Sequence, residues 1–404
     1  MTRHAIVIGA GLAGSSAAER LAARGWTIEV VDRAPAAGQG ASGNLAGVFR
    51  PLPSLDDNRL AQLTRAAFRL AGRHFAVLQA EGWPLRWAQT GVLHLARDDT
   101  HARTQRLVVD RQGEVNAGLS FVDRSRASEL AGWPVAIGGW WFADGGWVDP
   151  SSLCRANLAR HGSAVRCRFG CQITGIDYDG QRWRIVDTDG VIVASAPVLI
   201  VANAVSARQF APTRHLPLRS ALGQVSHLPA VAGSAPRIVV CRRGYVTPAI
   251  DGLRCVGATF VIDADSADQA PTPAGHLENL ARLDAILPGF GADLTVATLT
   301  GRVGVRPMSS DRLPMIGAVV DTAALDPSRP LPKSTELPRL PGLYLTNGFG
   351  ARGLVWSTLA GELLACQIAG EHLPLSAELA DALDPARFLR RNRRALRPID
   401  TVTR

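Results

Sequence analysis

Gly9, Gly11 and Gly14 occupy the glycine positions of a G-x-G-x-x-G turn, and Asp32 follows about twenty residues on. That spacing does nucleotide chemistry. The glycines serve a tight turn, close backbone approach to a pyrophosphate, and close packing of a helix on a strand. The acid then stands where it can accept from ribose hydroxyls, with Arg33 beside it as a further contact. Asp32 also disfavours a 2′-phosphate, so NADP is not expected here. A second small-residue run, Gly38 to Pro51, carries Ser42 and Asn44. A third, Gly348-Phe349-Gly350-Ala351-Arg352-Gly353, leads into Leu354 and the helix it opens. A glycine-rich helix entry offers free N–H groups to an anion or an electron-rich ring edge.

The elements that must position these groups follow from periodicity. His4–Ile8 reads as a buried parallel strand, an Ala/Leu-rich helix runs to about Arg24 before Gly25, and Thr27–Val31 is a second strand. The 38–51 run is either a flexible surface loop or a second contact along an extended dinucleotide such as FAD. Helical spacing is expected over 58–81, 101–112, 149–160 and 274–286, and from Leu354 to Ile368, stopped by Gly370. Strands are expected over 91–96, 117–122, 164–170, 172–178 and 197–202, with a hairpin from 182–187 to 191–194. Further strands are expected over 222–228, 238–241, 253–260, 294–302 and 342–347, and the five prolines of 327–341 mark a linker. The fold class is α/β: a Rossmann-like dinucleotide domain (1–84, 146–217 and 301–404) interrupted by a strand-rich α+β substrate domain (85–145 and 218–300). A cleft between the two is where a substrate would sit.

Composition narrows the function classes. The chain has 404 residues, 47% of them apolar and 20% charged, which suits a two-domain globular protein. No apolar run spans a bilayer, and the phosphate loop begins where a signal peptide would stand, so a cytoplasmic protein without a membrane partner is expected. Six cysteines lack CxxC pairs. Cys167 and Cys171 have no second pair to complete a metal site, and no metal is expected. A net charge of +9, carried almost wholly by arginine with Lys333 the only lysine, permits a polyanionic partner. Arg387, Arg390, Arg391, Arg393, Arg394 and Arg397 make the tail either a solvated basic face or a phosphate-contacting arm. Four tryptophans between 133 and 147 form either core or a stacking wall.

Over nearly its whole length the sequence resembles the glycine-oxidase/D-amino-acid-oxidase (DAO) group of FAD enzymes. Within that group it is similar to the oxidoreductase half of bifunctional enzymes that modify the tRNA wobble uridine. The resemblance lies in Gly9–Gly14, Gly40-Ala41-Ser42-Gly43-Asn44 and Gly146-Trp147-Val148-Asp149-Pro150. It continues in Gly223-Gln224-Val225-Ser226-His227, Gly244-Tyr245-Val246-Thr247-Pro248, Arg306-Pro307 through Asp311–Gly317, and Gly350-Ala351-Arg352-Gly353-Leu354. Ala202-Asn203-Ala204 departs from the group's usual glycine, and the methyltransferase half is not in this sequence.

The resemblance implies FAD, held by Gly9, Gly11, Gly14, Asp32, Arg33, Ser42, Asn44, Gly348, Gly350, Arg352, Gly353 and Leu354. It implies non-covalent binding too, since neither Val303–Ile316 nor Asn347–Leu354 contains a cysteine. Arg306 matches the carboxylate clamp, Tyr245 and Arg352 are further substrate contacts, and His227 is a structural polar residue rather than a base. The implied reaction oxidises the amine of a carboxymethylaminomethyl uridine in the anticodon arm of tRNA. Its products are aminomethyl uridine, glyoxylate and, with dioxygen as electron acceptor, hydrogen peroxide. A separate methyltransferase would act on the product. The alternatives are an oxidase or quinone-linked dehydrogenase of free glycine, sarcosine or D-amino acids, and a non-enzymatic flavin- or tRNA-binding protein.

Overall fold

The computed structural model describes residues 3–391 except 114, 117, 264–269, 327, 329 and 330. The apolar run His4–Ile8 is the middle of a six-stranded sheet. Thr27–Val31 and then Val165–Arg168 lie on one side of it, and Val198–Val201, Arg339–Asn347 and Met315–Val320 on the other. All neighbours are parallel except the last pair. Strand order therefore reverses at His4–Ile8, and the crevice outside its carboxyl end is where such sheets take ligands. The helix Leu12–Ala22 covers this sheet and packs on the long helix Gly353–Ala369. A Cβ on Gly361 would meet the Ser16 carbonyl oxygen at 2.6 Å, so the two helix backbones approach as only a glycine allows. Gly25 and Gly370 both carry positive φ at the expected helix ends.

The two inserted segments meet in one further sheet. Val92–Leu95, Leu119–Val122 and Gly139–Phe142 come from the first segment and join the second through the parallel pair Val92–Leu95 with Val239–Cys241. The backbone of the second segment is the twelve-residue strand Leu218–Pro229, longer than the 222–228 expected. The expected 294–302 strand is displaced: Val296–Thr298 is a 3-10 turn and the strand runs Thr300–Ser309. Among the described residues its one ladder is with Leu218–Pro229, apart from a single bridge from Met308 to Phe349, so it is an edge, and an edge tolerates Pro307 without its N–H. The inserted sheet thus continues beyond the boundary set at 300. Ile173–Tyr178, Trp183–Asp187 and Ile192–Ala196 form a small antiparallel sheet of their own, outside the dinucleotide sheet.

Of the four tryptophans Trp140 is core, and Trp133, Trp141 and Trp147 are half-buried and pack against the core. Trp140 is buried with Val92, Phe142 and Val239 and donates its N–H to the Gln105 carbonyl at 2.9 Å. Trp133 stacks edge-on against Phe290 and donates to the Pro288 carbonyl at 2.9 Å. Neither serves as a stacking wall. His227 lies near the end of the Leu218–Pro229 strand, between Thr300 and Cys255 of its two neighbours. Its neighbour Ser226 holds the helix Pro273–Ile286 through His276 and Asn279, at 2.8 and 3.0 Å.

Of the basic tail, Arg387 turns inward. It is buried, and its guanidinium grips the Asp311 carboxylate at 2.9 and 3.0 Å while donating to the Leu313 carbonyl at 2.8 Å. Asp311 is therefore tied by Arg387, not by Arg306. Burial alone would raise the Asp311 carboxyl, but the bonds from Arg387 outweigh it and hold it below its ordinary value. Arg387→Ala leaves that carboxylate buried without its cation and should lower unfolding free energy by about 3 kcal/mol in urea titration at pH 7. Because the native carboxyl is depressed, that contribution is present above the unfolded value near 4 and fades as pH falls below it. Wild type and variant should converge in acid. The side chains of Arg390 and Arg391, and all of Arg393, Arg394 and Arg397, lie outside the described residues.

Candidate functional site

Three glycine-rich segments converge on the start of the first helix. Gly9 has φ +109°, and a Cβ there would lie 2.6 Å from the Ala202 carbonyl oxygen; one on Gly14 would lie 1.8 Å from the Gly9 carbonyl oxygen. No acidic side chain stands in the helix's first turn and Gly11 supplies no capping bond, so its N–H groups stay available to phosphate. From the second segment the Ser42 hydroxyl accepts from the Leu12 N–H at 3.1 Å. From the third, a Cβ on Gly353 would sit 2.9 Å from the Leu12 side chain, and one on Gly47 would sit 2.6 Å from Leu354. Gly348 and Gly350 both take positive φ, at +77° and +56°.

Asp32 is fixed by two backbone donors, Ala10 N–H at 2.6 Å and Ala34 N–H at 2.8 Å. Each carboxylate oxygen keeps a further lone pair, so the group can still accept from a ribose. Arg33 is exposed next to it, and Asn44 is half-buried in the second segment. Ala204, in the stretch Ala202-Asn203-Ala204 where a glycine was expected from the resemblance, takes φ +56°; Asn347 holds its carbonyl at 2.8 Å and the Gly348 N–H at 2.7 Å. The neighbouring Asn203 carries a buried amide oxygen with no partner among the described residues. An unfilled acceptor beside a cradle without side chains fits an extended dinucleotide better than a solvent loop. The loop alternative for 38–51 falls with it, since this segment is packed between the first helix, Leu354 and Arg302.

The inserted sheet faces this cradle. Arg306, on Thr300–Ser309, lies over Gly223 of the facing strand; a Cβ there would meet its guanidinium at 2.1 Å. Among the described residues no carboxylate lies within ion-pair distance of Arg306. Burial pushes the guanidinium below its ordinary value, while Tyr245 and Cys255 pull it back up. Tyr245 and Arg306 therefore share one pocket. The Tyr245 hydroxyl sits 3.3 Å from the Cys255 sulfur and donates to the Ala46 carbonyl at 3.4 Å. Burial raises that phenol well above its usual range and pushes the Cys255 thiol up to about 11. At neutral pH Arg306 is a cation beside a phenol and a thiol that burial keeps neutral, a set whose chemistry suits a carboxylate.

Arg352 falls into a different group. Its pKa is pushed down to about 10, by burial first and then by Arg50 and Arg312. Arg302 shares its strand face with Arg306, and Gly304 between them leaves the space open. Its guanidinium donates to the carbonyls of Gln39 and Gly40, the latter at 2.5 Å, bracing the second glycine-rich segment from the sheet side. Sequence reading missed Gly223, Cys255, Arg302 and Arg50. The alternation Arg302-Val-Gly-Val-Arg306 was the available signal for Arg302. His227 is partly buried, with its ring held neutral by burial and by nearby Arg302 and His276. Among the described residues no His/Cys/Asp/Glu group is placed to hold a metal, and no helix is long and apolar enough to cross a membrane.

Comparison with known proteins places this geometry. The bifunctional protein MnmC of tRNA 5-methylaminomethyl-2-thiouridine biosynthesis from Aromatoleum aromaticum is 55% identical over all of this chain and 61% of its own length. The one from Azoarcus sp. is 54% identical over 98% of this chain and 62% of its own. The chain thus spans about three-fifths of these relatives. Among solved structures, iminodiacetate oxidase from Chelativorans sp. BNC1 superposes with a TM-score of 0.74 at 26% identity, over 93% of this chain and 97% of that one. Glycine oxidase from Geobacillus kaustophilus reaches 0.76 at 18% identity, over 96% and 99%, a likeness of fold alone. The family model described as FAD dependent oxidoreductase (DAO) matches residues 4–367, from the first strand of the cradle to the end of the helix that closes it. A cradle shaped for an extended dinucleotide, read through that match, makes this chain a member of the DAO family of FAD-dependent oxidoreductases.

Proposed function

We propose that this chain oxidises the secondary amine of a carboxymethylaminomethyl group on the wobble uridine of tRNA. The observation that carries the reading is Arg306, a half-buried cation with no carboxylate of its own among the described residues, on a strand that also touches the second and third glycine-rich segments. The names of the relatives more than half identical to this chain supply the RNA. Iminodiacetate, named for the 26% identical structure, is itself an amine bearing carboxymethyl groups. In the reaction the C–H bond next to the carboxylate and the N–H bond break, and two electrons and two protons, one from carbon and one from nitrogen, leave to give an imine. Water then adds, and the C–N bond breaks to release glyoxylate and the aminomethyl uridine. Bound FAD supplies the two-electron oxidation, with dioxygen as the acceptor that returns it to the oxidised state and yields hydrogen peroxide. The chain's own residues bind and orient: Arg306 forks onto the carboxylate, and Tyr245, neutral in its apolar setting, turns its one O–H from the Ala46 carbonyl to the carboxylate without adding charge. The step needs no strong base, only a neutral amine. A separate methyltransferase activity would complete the modification.

The cofactor is held non-covalently in this reading. The two thiols beside Tyr245, Cys255 and Cys241, are both kept protonated by burial, poor nucleophiles. Acid precipitation should release all yellow colour; colour retained on the precipitate would refute this. The function itself is tested by adding modified anticodon stem-loop RNA without oxygen. Bleaching of the flavin by RNA at lower concentration than by glycine or sarcosine supports it, and the reverse order assigns the pocket to a free amino acid.

A further inference from the structure

Arg306 needs one anion, yet the cleft carries more unpaired cations than one carboxylate answers. Arg50 follows the short strand Gly47–Phe49, whose first residue packs on Leu354, two residues beyond Arg352. Its guanidinium carbon lies 5.3 Å over the Phe142 ring in the inserted sheet; it donates to the Pro51 carbonyl at 3.0 Å and to the buried Cys241 thiol, neither of them an anion at neutral pH. Arg352 stands at the entry of the helix Gly353–Ala369, on a loop bridged to the end of the Arg306 strand through Met308 and Phe349. Arg312 is exposed in the turn that follows that strand, and its neighbour Asp311 is already taken by Arg387. Among the described residues none of these three arginines has a carboxylate within ion-pair distance. Two of them are half-buried, where like charges held close cost free energy until an anion joins them.

We propose that Arg50 and Arg352, flanked by Arg312, form a second anion site that grips a phosphodiester of the RNA next to the modified uridine. This rests on the tRNA reading above and deepens it. A free amino acid brings one carboxylate, which Arg306 takes, and leaves this group unanswered. A nucleotide within a chain brings a carboxylate at one end and phosphates at the other. The phosphates of the dinucleotide cofactor are an unsuitable partner. Their donors gather around Gly9–Gly14 and Ser42, whereas Arg50 is stacked on Phe142 of the opposite sheet.

The experiment compares two substrates on Arg50→Met and wild-type holoenzyme by anaerobic flavin reduction: a modified anticodon stem-loop and the modified nucleoside, which has no phosphate. The half-saturating RNA concentration should rise about tenfold or more, the cost of one charge-assisted contact, and that of the nucleoside should rise less. The slope of log affinity for RNA against log salt should flatten by roughly 0.7, one single-strand phosphate. Arg50→Lys, which keeps the charge, should recover part of the loss, and Arg50→Gln gives the same comparison where Met does not fold. Equal shifts for both substrates, no shift for either, or loss of flavin from the variants would overturn the phosphate site. A wild-type enzyme inert towards both substrates would instead sink the tRNA reading on which it stands.

Discussion

Arg306→Leu is expected to abolish useful turnover while leaving the flavin in place. In the proposed reading the clamp would touch the substrate alone, and its loss would remove a bidentate charged contact at a half-buried cation. Transition-state binding should fall by about 2–5 kcal/mol, roughly thirtyfold to several thousandfold in kcat/KM. The pocket makes the upper part of that range the better expectation. Arg306 has no carboxylate to fall back on among the described residues, and Tyr245 is a neutral phenol that cannot replace a cation. Arg306→Lys keeps a point charge without the fork, so it should fall between wild type and Leu. Flavin reduction by the amine, measured with flavin content held equal, reads the effect. A Leu variant that reduces its flavin at the wild-type rate under limiting substrate would remove Arg306 from the site.

Gly14→Ala should be the most damaging single methyl in the chain. The new Cβ would lie 1.8 Å from the Gly9 carbonyl oxygen and 2.9 Å from its carbon, both backbone atoms that cannot swing away. First helix and first strand must then separate at the point where phosphate would bind. The same movement disturbs the close helix contact at Gly361. A loss of about 3 kcal/mol or more in stability, together with loss of bound flavin, follows from overpacking at rigid backbone. The flavin-to-protein absorbance ratio and the urea midpoint report the two effects separately. Full flavin content with an unchanged midpoint would show that the turn tolerates what its geometry forbids.

Legibility in the sequence tracked the range of the interaction. The turn from Gly9 to Gly14, the helix after it and the strand ending at Asp32 are local, and their residue types leave few alternatives. Gly25 and Gly370 likewise announce their helix ends through a backbone conformation that belongs to glycine. Arg306 was visible only through family resemblance, because nothing local distinguishes it from the other arginines of an arginine-rich chain. Its meeting with Tyr245 depends on strands sixty residues apart in sequence being brought to one sheet through Leu218–Pro229 and Leu253–Gly257.

The same limit explains the misplaced strand. Residues 294–299 look as apolar as a strand, and the expected strand stops at 302, short of Pro307. Only the knowledge that Thr300–Ser309 has a single ladder makes a proline acceptable inside it. Arg387 is the converse case. A run of arginines reads as one basic surface, yet its first member is committed to Asp311, seventy-six residues earlier. A partner that distant leaves no trace in local composition.

The central claim is that the oxidised amine belongs to a tRNA nucleotide. Purified protein is incubated in air with tRNA bearing 5-carboxymethylaminomethyl-2-thiouridine, and the nucleosides are then separated and identified. The account predicts conversion to 5-aminomethyl-2-thiouridine with one glyoxylate released for each residue converted. Unchanged modified uridine, under conditions where the same preparation oxidises free glycine or sarcosine, would contradict it.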